Sequence, residues 1–336
     1  MKSMRIPYFS RLLLVATIFG MCNVSLASDK ACTPVASKAQ CNAKDACLKC
    51  GTASAYDCLK CCPGCSVVKK DGYQWCSCKG PAPGPKPGGN DTWTNYTIAG
   101  MDVMAVVGGP KGSSYEKVIV MLHGGGSSGE EFVYNYDGGW FGNITGKKLV
   151  FPTSPDNGLW YRSFKNGCGL LDDCAYDLNS IAASASRVAA LIEHEKALLV
   201  SGDAKNVYLA GFSQGGQLTS YVQLVKLTYA LGGAIIMDGF PLPPLVDMPG
   251  ASHDAAKQNA SYYGKDMRFM IYQGAADPIF PAPLLHATFA GIFEVLEIAS
   301  TLKVNHTEPE MTHTTTQDEF SMMMGFINQA YFSDSY

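Results

Sequence analysis

The chain of 336 residues has no excess of basic charge: 26 Lys and Arg stand against 29 Asp and Glu, a formal net charge of -3. Phosphate backbones are held by surplus Lys and Arg, so nucleic acid is not expected as the main partner and a charge-neutral substrate fits better. Beyond its first residues the chain also lacks any run of about 18 uninterrupted apolar residues, which argues against a stable membrane span. No internal repeat is visible, which sets aside solenoid and array architectures. What is present is a 47% apolar composition, ample for a buried core, on a length that suits a catalytic domain with a smaller appendage.

The first residues read as an address. Lys2, Arg5 and Arg11 precede an apolar run from Leu12 to Cys22, and Ser25-Leu26-Ala27 offers a small-x-small cleavage site. Residues 1–27 are therefore expected to be a signal peptide and the protein to be secreted or lumenal. Sequons at Asn90, Asn95, Asn143, Asn259 and Asn305 are consistent with export, each a candidate glycan acceptor.

Of the 13 cysteines, ten fall between Cys32 and Cys78. So short a stretch does not bury enough apolar surface to fold without cross-links or metal. Thiolates spaced as in Cys47-x-x-Cys50, Cys58-x-x-Cys61 and Cys62-x-x-Cys65 also suit zinc, but behind an export leader disulfides are favoured. Residues 28–79 are expected to be a small stapled module whose pairing the spacing does not give. Tyr73 and Trp75 are candidates for stacking on sugars, and equally for filling a tiny core. The Pro- and Gly-rich run 80–91 reads as a semi-stiff spacer, leaving 92–336 as the catalytic domain. The isolated pair Cys168 and Cys174 is expected to close a small loop by a disulfide.

In that domain, short β-branched runs alternate with helical patterns, the signature of an α/β fold with a doubly wound, mostly parallel sheet covered by helices on both faces. Strands are expected over 117–122, 148–151, 207–211, 233–237, 268–273 and 293–304. Helices are expected over 175–199, 214–230, 283–293 and 315–332. Chemistry in such sheets gathers beyond the carboxyl ends of the strands.

Two segments match Gly-x-Ser-x-Gly. In Gly211-Phe-Ser-Gln-Gly215 an apolar strand runs straight into a helical stretch, the strained elbow that exposes a serine hydroxyl. Gly125-Gly-Ser-Ser-Gly129 lies instead in a flexible glycine run and reads as an oxyanion loop. Ser213 is thus the expected nucleophile and Ser127 its rival. A serine needs a base and an orienting carboxylate, here in the order Ser, Asp, His. Asp277, stiffened by Pro278 and Pro281, is the expected acid, with Asp238 as competitor. His313 is the expected base, ahead of His306 and His286.

These segments, Val118-Ile-Val-Met-Leu-His-Gly124, Phe151-Pro-Thr-Ser-Pro155, Gly211-Phe-Ser-Gln-Gly-Gly216, Gly274-x-x-Asp277 with Pro281, and Met311-Thr-His313, resemble the acyl-protein thioesterase and phospholipase/carboxylesterase group of α/β-hydrolases over residues 115–332. The resemblance implies Ser213, Asp277 and His313 as a triad, with the backbone N–H groups of Gly125 and Gln214 as an oxyanion hole. Gly125 stands where relatives often carry a bulkier apolar residue, a departure that bears on the acyl pocket. Trp160 and Tyr161 are expected either to cradle an acyl chain or aromatic acid, or to pack the domain. The chemistry expected is two-step acyl transfer on a small or polymer-borne carboxylic ester or thioester. It needs no metal or organic cofactor, and activity should rise through about pH 6 to 7 as imidazole loses its proton. Two alternatives remain: a polysaccharide or polyester esterase targeted by the cysteine-rich module, and a non-catalytic binding protein on a hydrolase fold.

Overall fold

A computed structural model describes residues 65–70, 73–78, 90–162, 176–246, 251–298 and 303–328. The loop between Cys168 and Cys174, and most of the cysteine-rich segment, lie outside them. Two compact units divide near Ala82. In the first, β1 (Cys65–Lys70) and β2 (Tyr73–Cys78) form an antiparallel hairpin with Cys65 opposite Cys78 and Val67 opposite Cys76.

The second unit is built on an eight-stranded sheet. Its strands are β3 (Thr92–Ile98), β4 (Met101–Val107), β5 (Lys117–Leu122), β6 (Lys147–Thr153), β7 (Val207–Phe212), β8 (Gly233–Met237), β9 (Phe269–Gly274) and β10 (Lys303–Glu308). They lie in the order β10-β9-β8-β7-β5-β6-β4-β3. β3 and β4 add antiparallel at one edge and all other pairings are parallel. The helices are α1 (Glu130–Asp137), α2 (Leu178–Leu198), α3 (Gln214–Tyr221), α4 (Pro243–Val246), α5 (Ala251–Tyr263), α6 (Ala282–Val295) and α7 (Gln317–Ile327).

The strand alternation sorts two cores. Val118, Val120, Leu122, Val207, Leu209, Ala234, Ile236, Phe269 and Ile271 pack in one cluster with residues of α2, α3, α5 and α6. Ile119, Met121, Tyr208, Ala210, Ile235, Met237, Met270 and Tyr272 pack in the other with α1 and α7. Successive side chains point to opposite faces, so a strand covered on both sides reads as an unbroken apolar run, which is what made 117–122 and 207–211 legible.

Residue 293 does not begin a strand, contrary to expectation. Phe289, Ile292, Phe293 and Leu296 are all buried at helical spacing, so α6 runs on to Val295 and the edge strand is Lys303–Glu308. The helix expected over 214–230 keeps α geometry only to Tyr221, then widens into a π turn at Val222–Lys226. Asn259 explains how that turn ends: its side-chain amide donates to the carbonyls of Leu224 and Val225 at 3.1 and 3.2 Å, satisfying terminal acceptors.

Asn259 is buried, whereas Asn90, Asn95, Asn143 and Asn305 are exposed. Peptide mass spectrometry of folded protein expressed through a glycosylating secretory pathway should therefore find the Asn259 sequon unmodified and glycan confined to exposed sequons. A glycan at Asn259 on folded protein would contradict this burial.

Candidate active site

Register places the chemistry. Leu122 pairs with Gly211, Phe212 with Met237, Met237 with Tyr272, and Gly274 with Glu308, so the ends of five strands align and their following loops converge. Ser213 sits between β7 and α3 with φ +53° and ψ -118°, a conformation a side-chain-bearing residue adopts only under constraint. Its N–H is fixed by the Met237 carbonyl at 2.8 Å. A Cβ on Gly215 would fall 2.2 Å from the Leu122 carbonyl, and one on Gly211 2.3 Å from the Gly215 carbonyl. Both flanking glycines are thus demanded by backbone contact across the elbow.

Three side chains distant in the chain form one relay. His313 Nε2 is 2.7 Å from Ser213 Oγ and His313 Nδ1 is 2.8 Å from Asp277 Oδ2. Burial raises the Asp277 carboxyl, but the hydrogen bond and charge of His313 and the Phe280 and Ile279 N–H groups outweigh it and hold the group below the ordinary aspartate value. An ionised carboxylate only accepts, so Nδ1–H donates to Asp277, which leaves the Nε2 lone pair facing the serine hydroxyl.

Asp277 is held from several sides. Its Oδ1 accepts from Ile279 and Phe280 N–H at 2.7 and 3.0 Å, an aspartate turn. Gln273 Nε2 donates to Oδ2 and to the Phe280 carbonyl, each at 2.7 Å. The sequence reading missed Gln273, because an amide inside an apolar strand looks like one more core position. Phe212 and Phe280 flank the His313 ring at centroid distances of 5.0 and 5.4 Å, an apolar surround that strengthens hydrogen bonds within it.

Gly125 is exposed, and a Cβ there would meet the Gln214 side chain at 3.3 to 3.5 Å, so the glycine loop packs against the residue that follows Ser213. Gln214 opens α3, so its N–H has no acceptor within the helix. His123 fixes the glycine loop. Its Nε2 accepts the Ser154 N–H at 3.1 Å, which assigns the proton to Nδ1, and Nδ1 donates to the Gly124 carbonyl at 2.7 Å. Burial pushes this imidazole down to about 4, so it stays neutral.

Trp160 and Tyr161 lie in the interior, each 1% exposed, rather than on an open cleft wall. Trp160 Nε1 donates to the His123 carbonyl at 2.7 Å and its ring lies against the imidazole at 4.7 Å. The Gln214 side chain accepts the Trp160 N–H at 2.8 Å and donates to the Tyr161 carbonyl at 2.9 Å. Their polar tips and backbones thus brace the elbow while their rings fill the core, the packing reading of the two offered by the sequence.

The rivals fall elsewhere. Ser127 occupies a turn closed by its N–H on the Gly124 carbonyl. His306 stacks on Tyr272 at 4.6 Å, and His286 on α6 pairs with Thr307 at 2.8 Å. Asp238, fully buried, belongs instead to the same neighbourhood as Asp277: one oxygen from each aspartate and one His313 nitrogen all lie within 4.8 Å of one another.

A mostly parallel sheet clothed on both faces, with a serine on a strand-to-helix elbow, is the α/β-hydrolase fold. The sequence profile of the phospholipase/carboxylesterase family matches residues 104–331, more than half of the chain, and the chain belongs to that family. Among solved structures, esterase PE8 is 17% identical over 71% of this chain and 99% of its own, with a TM-score of 0.50, a likeness of fold. SOBER1 of Arabidopsis thaliana is 21% identical over 63% of this chain and 98% of its own, with a TM-score of 0.49. A carboxylesterase from Mesorhizobium loti is 16% identical over 70% and 98%, with a TM-score of 0.48.

Proposed function

We propose that the protein is a secreted serine hydrolase of carboxylic esters or thioesters, acting through an acyl-enzyme. The observation that carries this reading is the unbroken relay from Asp277 through His313 to a half-buried, reachable Ser213. His313 takes the Ser213 proton as Oγ attacks the carbonyl carbon, and Asp277 stabilises the imidazolium that forms. The Gly125 and Gln214 N–H groups face the developing oxyanion. His313 then protonates the leaving group, and water repeats the sequence to release the acid. Export is supported by the leader pattern and the cysteine arithmetic, and it sets the substrate outside the cytosol.

The test is purified mature protein assayed on p-nitrophenyl esters of increasing chain length, a thioester and an acetylated polysaccharide, with fluorophosphonate labelling in parallel. Stoichiometric labelling at Ser213 and measurable kcat/KM on at least one substrate are expected. Folded protein that neither labels nor turns over would favour a binding protein on the same fold. A flat pH profile with chemistry limiting would remove His313 as base.

A further inference from the structure

Acyl transfer as described leaves one buried acid beside the relay without a task. Asp238 ends β8 at φ +46°, a left-handed conformation rare for a residue with a side chain, and it is fully buried. Its N–H is fixed by the Tyr272 carbonyl at 2.9 Å. Its Oδ1 accepts the Gly274 N–H at 2.8 Å, gripping the end of β9 where the chain turns toward Asp277. Its Oδ2 has no hydrogen-bond partner among the described residues, although buried carboxylate oxygens are ordinarily paired. The imidazole of His313 is within the 4.8 Å group that Asp238 shares with Asp277.

We infer that Asp238 is a second positioning carboxylate for His313, subordinate to Asp277 in the resting protein and able to orient the ring when Asp277 is absent. The inference rests on the triad reading above. Its geometric basis is that the two acids approach the imidazole from neighbouring strands, and that one oxygen of Asp238 is anchored while the other is uncommitted. Removing the Asp277 carboxylate leaves Asp238 as the acid of this 4.8 Å group beside the imidazole.

The charges around Asp238 give the inference a signature. Asp277 and His313 face it from their loops, Glu308 from the end of β10 and Glu319 from α7. Glu319 is fully buried with both carboxylate oxygens unpartnered among the described residues. Burial foremost, with Asp277 and Glu308 adding to it, pushes Asp238 up to about 8 against the Gly274 and Thr314 N–H groups. Because Asp277 is itself one of the charges that raise Asp238, its removal favours the ionised, hydrogen-bond-accepting form of Asp238. The Asp238 carboxylate should therefore matter far more in the absence of Asp277 than in its presence.

The experiment measures kcat/KM against pH on a p-nitrophenyl ester for the unsubstituted protein, Asp277→Ala, Asp238→Asn and the double variant, with Ser213→Ala as background and thermal unfolding to establish folding. Asp238→Asn is expected to lose no more than about ten-fold. Asp277→Ala should lose about 10²-fold and the double variant about 10⁴-fold, the scale for a lost triad acid. Equal activity of Asp277→Ala and the double variant at every pH overturns the inference, as does a loss from Asp238→Asn that is the same with and without Asp277. Asp238→Ser in the same two backgrounds repeats the comparison if Asp238→Asn fails to fold. An unsubstituted protein that neither labels nor turns over overturns the hydrolase reading as well; active protein with coincident variants overturns only the role of Asp238.

Discussion

Replacing Ser213 by alanine is expected to lower kcat by about 10⁴- to 10⁶-fold while leaving KM and the unfolding midpoint nearly unchanged. On the proposed mechanism the size follows from the relay: without Oγ, the proton acceptor at His313 Nε2 and the oxyanion donors would remain, but no acyl-enzyme could form. Only direct attack by water is left. The fold should tolerate the change because Ser213 is held by its backbone, through its N–H to Met237 and its carbonyl to Gln217 N–H at 2.9 Å, and alanine keeps both. A variant within ten-fold of the original on its best ester would mean that some other group makes the first bond. Single-turnover kinetics with a chromogenic ester separate the two, since only the unsubstituted protein should show a burst.

The second large effect concerns stability and lies at the opposite end of the sheet. Lys148, on β6, donates to both oxygens of Glu195 on α2 at 2.7 and 3.0 Å, and the two side chains are 6% and 0% exposed. The Tyr96 hydroxyl donates to the same carboxylate, and the Lys148 ammonium lies 5.3 and 5.6 Å from the ring centroids of Tyr96 and Tyr115. Lys148→Met leaves Glu195 buried without its counter-ion, a loss of about 3–5 kcal/mol, which for a domain of this size is roughly 6–20 °C in Tm. Lys148→Met with Glu195→Leu should recover most of that loss, because two apolar groups need no pairing. Chemical denaturation of the single and double variants measures both. A double variant no more stable than the single one would show that β6 and α2 are joined by something other than charge. Since Lys148 pairs with Val118, near the start of β5, kcat should be unaffected in either variant.

Much of this architecture is written in local pattern. The core strands are buried on both faces and so appear as bare apolar runs. The elbow is visible because backbone crowding admits only glycine at Gly211 and Gly215. The sheet's edges were harder to see. In β10 the side chains from Val304 to Glu308 alternate between half-buried and exposed, so Lys303–Glu308 carries little apolar signal, while the Phe-Glu-Val-Leu-Glu-Ile run just before it imitates strand alternation. The antiparallel pair β3 and β4 escaped notice for a similar reason: β3 is half-exposed along its length. At the site, chain order put forward Ser213, Asp277 and His313, and the structure brings these three side chains together. The groups that hold them, Gln273, His123 and the Gln214 side chain, act through contacts between segments far apart in sequence, which no local pattern records.

The hundred residues between Ser213 and His313 also have a consequence in time. At about 5–20 residues per second of synthesis, the serine is made roughly 5–20 s before the imidazole that would activate it. Because His313 follows every described strand of the sheet in sequence, a nascent or prematurely ended chain would, on the proposed mechanism, carry the hydroxyl with no base to deprotonate it. Reactivity would thereby be withheld until translation has passed Lys303–Glu308.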